Sequence, residues 1–290
     1  MKKMGVGKSH SKIILIGEHS VVYGYPAIAL PVKQVEALCR VSAARHPLTN
    51  RGDALSKALF VALEYLGQEQ APLRFQMHSA IPSKRGMGSS AAVSIAAIRA
   101  VFDYFERDLD PQLLEDLVMQ AEQIAHLNPS GIDAKTCLSD QAIHFIKDVG
   151  FKKLDLDLEA CLVIADTGQF GQTKKAVAAV AEKGEAGKEN LALLGELAKA
   201  MEKTIVEKNV RRMGKIMTKA HYTLRDLGVS SHKADRLVRV ALSSGAFGAK
   251  MSGGGLGGCI IALAKDRAAA KHIAYQLRRR GAVKTWIENL

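Results

Sequence analysis

The sequence predicts an α+β protein of two domains, and three observations carry that expectation. The chain has 290 residues, about two domains at roughly 150 residues each. Apolar residues repeat with the strand period in some segments and the helix period in others. The two kinds alternate irregularly, unlike the strict strand-helix succession of a doubly wound parallel sheet. A polar stretch, Lys147 to Asp157, separates the halves and places the domains at 1–155 and 156–290.

The elements follow in order. Val35, Ala37, Cys39 and Val41 alternate with Glu36, Arg40 and Ser42, the mark of a strand with one buried face. Leu55, Leu59, Ala62, Leu63 and Leu66 share a helical face that Gly67 closes, and Leu73, Phe75 and Met77 form a strand that Pro82 stops. A nearly all-apolar helix, Ser90 to Phe105, is expected to be buried. Leu113, Leu114, Leu117, Val118, Ala121 and Ile124 form an amphipathic helix after Asp110-Pro111. The second half opens on a central strand, Cys161 to Ala165, and turns helical over 172–182, 188–207, 210–227 and 232–243. It closes with strands near 246–251 and 258–264, a helix at 266–280 and a strand at 282–287.

With 48% hydrophobic and 24% charged residues the composition is that of a folded globular protein, which excludes a disordered or fibrous chain. Forty-one Lys plus Arg against 29 Asp plus Glu give a formal charge of +12. That balance favours anionic partners: nucleic acid, acidic lipid or phosphorylated small molecules. Apart from Lys2-Lys3 and Arg278-Arg279-Arg280 the cations are scattered, and eight Phe, six Tyr and one Trp offer few stacking platforms. No nucleic-acid partner is therefore expected. Cys39, Cys137, Cys161 and Cys259 are widely spaced without a C-x-x-C pair, as buried thiols in a reducing compartment would be. Ile13 to Ile16 is too short for a signal-peptide core. The apolar helix near Ala91 carries Arg99 and falls short of the ~20 residues that span a bilayer. No membrane partner and a cytoplasmic location are expected.

Phosphate binding needs backbone N–H groups converging on an anion, hence glycine for close approach and a helix amino terminus for its partial positive charge. Gly7-Lys8-Ser9 imitates the end of a Walker A loop, but Lys2 stands where that motif demands its first glycine. Gly253-Gly254-Gly255-Leu256-Gly257-Gly258 satisfies G-x-G-x-x-G, yet Cys259 to Leu263 reads as a strand where a dinucleotide fingerprint must open a helix. It is either a tight strand connection or a loop whose backbone something approaches closely. Ile81-Pro82-Ser83-Lys84-Arg85-Gly86-Met87-Gly88-Ser89-Ser90-Ala91-Ala92 runs from a strand through two glycines into a long helix. Ser89 and Ser90 can cap that helix, as an anion cradle or as an ordinary helix start.

Among the carboxylates, Glu122 lies near the end of the amphipathic helix, and Asp133 follows the turn signal Asn128-Pro129-Ser130-Gly131. Taken alone, that pattern reads as a helix stop with a solvated Asp133. Lys12 precedes Ile13 to Ile16, and Glu18-His19 lacks the second histidine of a metalloprotease motif.

In order along the chain, Lys12-Ile13-Ile14-Leu15-Ile16-Gly17-Glu18-His19-Ser20-Val21-Val22-Tyr23-Gly24, then Pro82 to Ala92, then Lys250-Met251-Ser252-Gly253-Gly254-Gly255-Leu256-Gly257-Gly258 resemble the three motifs of the small-molecule kinases that include galactokinase, homoserine kinase, mevalonate kinase and phosphomevalonate kinase. Glu-His before Val-Val-Tyr-Gly, and the block His126 to Asp133, are most similar to the mevalonate kinases of the bacterial type.

The resemblance implies an amino-terminal domain like the second domain of ribosomal protein S5, a ferredoxin-like carboxy-terminal domain and an active site between them. It implies ATP as co-substrate, bound by Lys84, Arg85, Gly86, Met87, Gly88, Ser89, Ser90 and Ala91, with Mg2+ on Ser90 and Glu122. Hydroxyl, carboxylate and phosphate oxygens are a fitting hard donor set for that ion. Asp133 matches the family's catalytic aspartate, which takes the proton of the substrate's primary hydroxyl. Lys12 would sit beside it, since a cation stabilises charge on transferring phosphoryl oxygens and favours an ionised neighbouring carboxylate. Glu18, His19, Thr173, Gly253, Gly254 and Gly255 would meet the substrate, mevalonate, which the enzyme would convert to 5-phosphomevalonate.

Leu127 and Ser11 stand where relatives usually have glycine, and Lys84 and Arg85 either strengthen nucleotide binding or point into solvent. A phosphomevalonate kinase, or a non-catalytic RNA-binding protein suggested by the ribosomal likeness, are the competing expectations. A homodimer is the working expectation for assembly.

Overall fold

The computed structural model describes residues 2–49, 52–125 and 131–290. The chain runs β1 (Gly5–Ile16), a 3₁₀ turn (Ser20–Tyr23), β2 (Ala27–Ala43), α1 (Ala54–Tyr65), β3 (Leu73–Ser79), α2 (Ser89–Phe105), α3 (Pro111–Ala125) and α4 (Ile132–Leu138). It continues through β4 (Ala142–Ile146), β5 (Gly150–Leu154), β6 (Cys161–Asp166), α5 (Thr173–Glu182), α6 (Gly184–Val206), α7 (Val210–Asp226), α8 (His232–Ser243), β7 (Gly248–Ser252), β8 (Cys259–Ala264), α9 (Arg267–Arg279) and β9 (Lys284–Asn289). The fold is α+β, as its strand and helix periods predict.

The chain forms two compact units that interleave along the sequence: 1–12, 31–83 and 88–140 in one, 13–30, 84–87 and 141–290 in the other. In the first unit α1 to α4 pack on one another, with α2 at the centre. Eleven of α2's seventeen residues are buried, so its nearly all-apolar sequence reflects contact on most sides. The strand pair β2 and β3 runs antiparallel with Val41 opposite Phe75, which accounts for the period of two in both. Gly7 lies inside β1, where a Cβ would stand 2.1 Å from the Ala96 carbonyl oxygen of α2. That glycine serves strand-on-helix packing, and Gly7-Lys8-Ser9 forms no phosphate loop.

In the second unit β6 to β9 form an antiparallel sheet in the order β7-β8-β6-β9. In chain order the strands succeed one another as β6, helices, β7, β8, α9, β9, which is the β-α-β-β-α-β pattern of a ferredoxin-like layer. Every residue of β6, β7 and β8 is buried. Helices α8 and α9 pack on this sheet.

The polar stretch Lys147 to Asp157, expected as an interdomain link, is instead the turn and edge strand of a hairpin. Here β5 pairs antiparallel with β4, Ile143 opposite Lys153. An outer strand with four exposed residues carries lysines that keep its free edge from pairing elsewhere. Leu127 and the turn Asn128 to Ser130 lie outside the described residues. No described helix is long and apolar enough to cross a membrane.

Candidate active site

Each unit carries its own group of the residues singled out above. In the first unit, Lys12 on β1 reaches Asp133 at the start of α4, Nζ to Oδ1 2.7 Å. The lysine side chain is 2% exposed and the aspartate's 43%. Asp133 is therefore an ion-paired carboxylate with an open side, not a solvated helix stop. It lies in the first turn of α4, where unsatisfied N–H groups favour negative charge. Ser11, at a departure from the resembling family, is fully buried beside Lys12.

The lysine stem is seated by a glycine. Gly88 has φ 68°, and a Cβ there would lie 2.7 Å from Lys12 Cγ and 3.1 Å from Cys137 Sγ. The position thus excludes a side chain twice, by backbone conformation and by space. Burial, and secondarily the Asp133 carboxylate, push the Cys137 thiol up. It remains a packing group.

The expected side-chain cap on α2 is absent. Gly88 takes the capping position and no side chain bonds the first turn. Ser89 and Ser90 lie inside the helix, and Ser90 Oγ donates to Glu122 Oε1 of α3 at 2.7 Å. With Gly88 at the N-cap, Ser90 lies past the capping position, and its hydroxyl donates a charge-assisted bond to the buried carboxylate. The first N–H groups of α2, through Ala91, are left for an anion. Ser90 and Glu122 supply two hard oxygen donors, a set that fits magnesium better than softer metals.

The second group lies in the other unit. Glu18 ends the run after β1 and is 2% exposed; Lys250 of β7 is fully buried and donates to Glu18 Oε1 and, at 2.7 Å, to the Met251 carbonyl. Burial lowers the Lys250 pKa, and the Glu18 carboxylate offsets part of that. Glu18 Oε2 and His19 Nε2 are both buried without a hydrogen-bond partner. His19 has φ 63°, and burial, with Lys250 nearby, pushes its pKa down to about 4. A neutral imidazole and a carboxylate oxygen thus stand unpaired side by side in sequence. Buried polar atoms of this kind have hydrogen-bonding capacity left over for another group.

In the same unit the glycine-rich loop after β7 touches the phosphate-loop residues 84–87. A Cβ on Gly253 would lie 2.6 Å from Gly86 Cα, and one on Gly254 only 2.0 Å from Thr173 Oγ1. Gly255 accepts from the Gln172 N–H at 3.0 Å. Met87 is fully buried. Lys84 is exposed at φ 56°, and its carbonyl accepts from Gly171 at 2.8 Å. Arg85 neither points into solvent nor stands unpaired: its Nε donates to Asp166 Oδ1 at 2.7 Å.

The sequence reading missed Lys250 and Asp166. Each is a charged residue in or beside an otherwise apolar strand, the same signal that marked Lys12.

Two family patterns match the chain: GHMP kinases N terminal domain over residues 54–141 and GHMP kinases C terminal over 190–283. A mevalonate kinase of Pyrococcus furiosus is 32% identical over 90% of this chain and 90% of its own. Among solved structures, the mevalonate kinase of Methanococcus jannaschii is 25% identical with a TM-score of 0.86, covering 98% of each chain. That of methicillin-resistant Staphylococcus aureus is 32% identical with a TM-score of 0.77, covering 100% of this chain and 99% of its own.

Proposed function

The chain belongs to the GHMP kinase family, and from that premise we propose that it transfers the γ-phosphoryl group of ATP to the primary hydroxyl of mevalonate, giving 5-phosphomevalonate and ADP in the mevalonate route to isoprenoids. The observation that carries the reading is the pair of buried Lys12 and half-open Asp133. Its substrate is supported by the mevalonate kinases at about one-third identity across nearly the whole chain.

The chemistry follows from those groups. Asp133 accepts the hydroxyl proton as the oxygen attacks the γ-phosphorus and the bond to the ADP oxygen breaks. Lys12, held beneath Asp133 and unable to swing into solvent, stabilises charge on the transferring oxygens. The N–H groups of Gly88 to Ala91, at the open start of α2, receive phosphate oxygens, with Lys84, Arg85, Gly86 and Met87 preceding them. Ser90 and Glu122 would hold magnesium, which would neutralise phosphate charge.

Glu18 and His19 take up the substrate through Oε2 and Nε2, the two buried atoms that lack partners. A neutral His19 suits a hydroxyl better than a charged one would. Thr173 and the Gly253 to Gly255 loop complete the substrate and phosphate contacts. The matched family patterns, 54–141 and 190–283, fall on either side of residue 155, so domains 1–155 and 156–290 follow the family's two sequence regions and not the interleaved compact units. Four unbridged, buried cysteines support a cytoplasmic location.

Purified protein incubated with ATP, magnesium and, separately, mevalonate, phosphomevalonate, galactose and homoserine decides the substrate. Phosphate transfer to mevalonate alone is expected. Turnover of another member of the panel in its place refutes the assignment.

A further inference from the structure

The segment between β6 and α5 belongs to none of the three motifs, yet its backbone and side chains meet two of them. Asp166 Oδ1 accepts from Arg85 Nε and from the Gly168 N–H, each at 2.7 Å. The Arg85 guanidinium lies 4.4 Å from the centre of the Phe170 ring. Both members of the ion pair are nearly enclosed, 11% and 7% exposed. One residue after Phe170, Gly171 donates to the Lys84 carbonyl at 2.8 Å. The loop that begins with Lys84 and Arg85 is thus fastened to this segment by one ion pair, one ring and one backbone bond.

The same segment holds the glycine-rich loop. Thr167 donates to the Gly258 carbonyl through both its N–H, at 3.0 Å, and its hydroxyl, at 2.6 Å. Gly258 donates to the Gln169 carbonyl at 2.8 Å. Residues 166–172 therefore bind one loop along one side and the other loop along the other.

An enclosed ion pair is weak evidence for stability, because the desolvation of two charges offsets their attraction. What such a pair fixes is geometry: a planar guanidinium held at Nε and across its face has one orientation. Arg85 Nη1 is buried without a partner, so the pair is not arranged to satisfy the arginine fully. We infer that Asp166 is a positioning residue for the nucleotide: by orienting Arg85 it sets the phosphate loop and, through 167–169, registers the glycine-rich loop against it. This rests on the kinase reading for its ligand, a nucleoside di- or triphosphate, but not on the identity of the phosphate acceptor.

The experiment is calorimetric titration of magnesium ADP, without acceptor, into wild type, Asp166→Asn, Arg85→Met and the double variant, alongside melting curves and steady-state kinetics with mevalonate. Asn keeps the oxygen that accepts from the Gly168 N–H and from Arg85 Nε but removes the negative charge, so the turn is retained while the charge-assisted hold on the guanidinium is lost. ADP affinity is expected to fall about tenfold in each single variant, and no further in the double, because both remove one device. KM for ATP rises accordingly, KM for mevalonate stays within about twofold, and Arg85→Lys restores little because it lacks the planar fork. Unchanged ADP affinity in Asp166→Asn overturns the inference, as does an additive double variant, or equal rises in both KM values with a lowered melting temperature. Wild-type protein that binds ADP in an Asp166-dependent way yet ignores mevalonate leaves this inference standing and sinks the substrate assignment.

Discussion

Lys12 and Lys250 are both buried lysines paired with a carboxylate, and the exposure of the partner separates their consequences. Asp133 is 43% exposed, so water can take over its solvation once the lysine is gone. Glu18 is 2% exposed and would be left a buried, unpaired charge. Lys12→Met is therefore expected to leave the denaturation midpoint nearly unchanged while lowering kcat at least about a hundredfold. Lys250→Met is expected to cost on the order of 3–5 kcal/mol in stability. Urea titrations and steady-state rates on both variants check the contrast; equal destabilisation would refute it. Histidines add a pH dependence of fixed sign. Burial pushes His19 and His221 each down to about 4, against about 6.5 in the unfolded chain. The unfolded state therefore binds more protons between these values, so stability present above pH 6.5 is lost as pH falls toward 4. For His221 the nearby Asp235 carboxylate offsets part of the effect of burial, and the sign is the same for both residues. The urea midpoint is expected to drop between pH 7 and pH 5, and a constant midpoint over that range would contradict the burial of both imidazoles.

At the scale of elements, the start of α2 is the place where backbone geometry and chemistry meet. Gly88→Ala forces a Cβ to within 2.7 Å of Lys12 Cγ at φ 68°. The variant is expected to fold with about 1–3 kcal/mol less stability and to lose turnover through a displaced Lys12; a melting curve with a rate assay reads both, and wild-type turnover would show that Lys12 is not seated by this glycine. Sequence made this helix legible because its residues are nearly all apolar, and β2 and β3 legible because each buries one face. It hid β5, whose lysines suit an edge and resemble a linker. It also hid α4, since Asn-Pro-Ser-Gly reads as a stop and gives no sign that a short helix restarts at Ile132. Ser89 and Ser90 looked like caps because serine usually is one there; only the folded chain brings Glu122 within reach of Ser90.

For the whole molecule, the order of motifs along the chain was readable and their grouping was not. Sequence put a single boundary near 155, whereas the compact units interleave and divide even the phosphate loop, 84–87 with one and Gly88 onward with the other. Such exchange is invisible to periodicity, because strands β1 and β2 pass from one unit to the other without interruption. The enclosed pairs Lys250–Glu18 and Arg85–Asp166 each sum to zero, so the net charge of +12 is carried by other residues. In the proposed mechanism Asp133, beside Lys12, takes the proton from the hydroxyl of mevalonate. Asp133→Asn tests it most directly, with kcat for mevalonate phosphorylation and ADP affinity measured on one preparation. The prediction is a fall in kcat of at least about a hundredfold with ADP affinity within about threefold of wild type. A variant that turns over mevalonate at a near-normal rate would contradict the account.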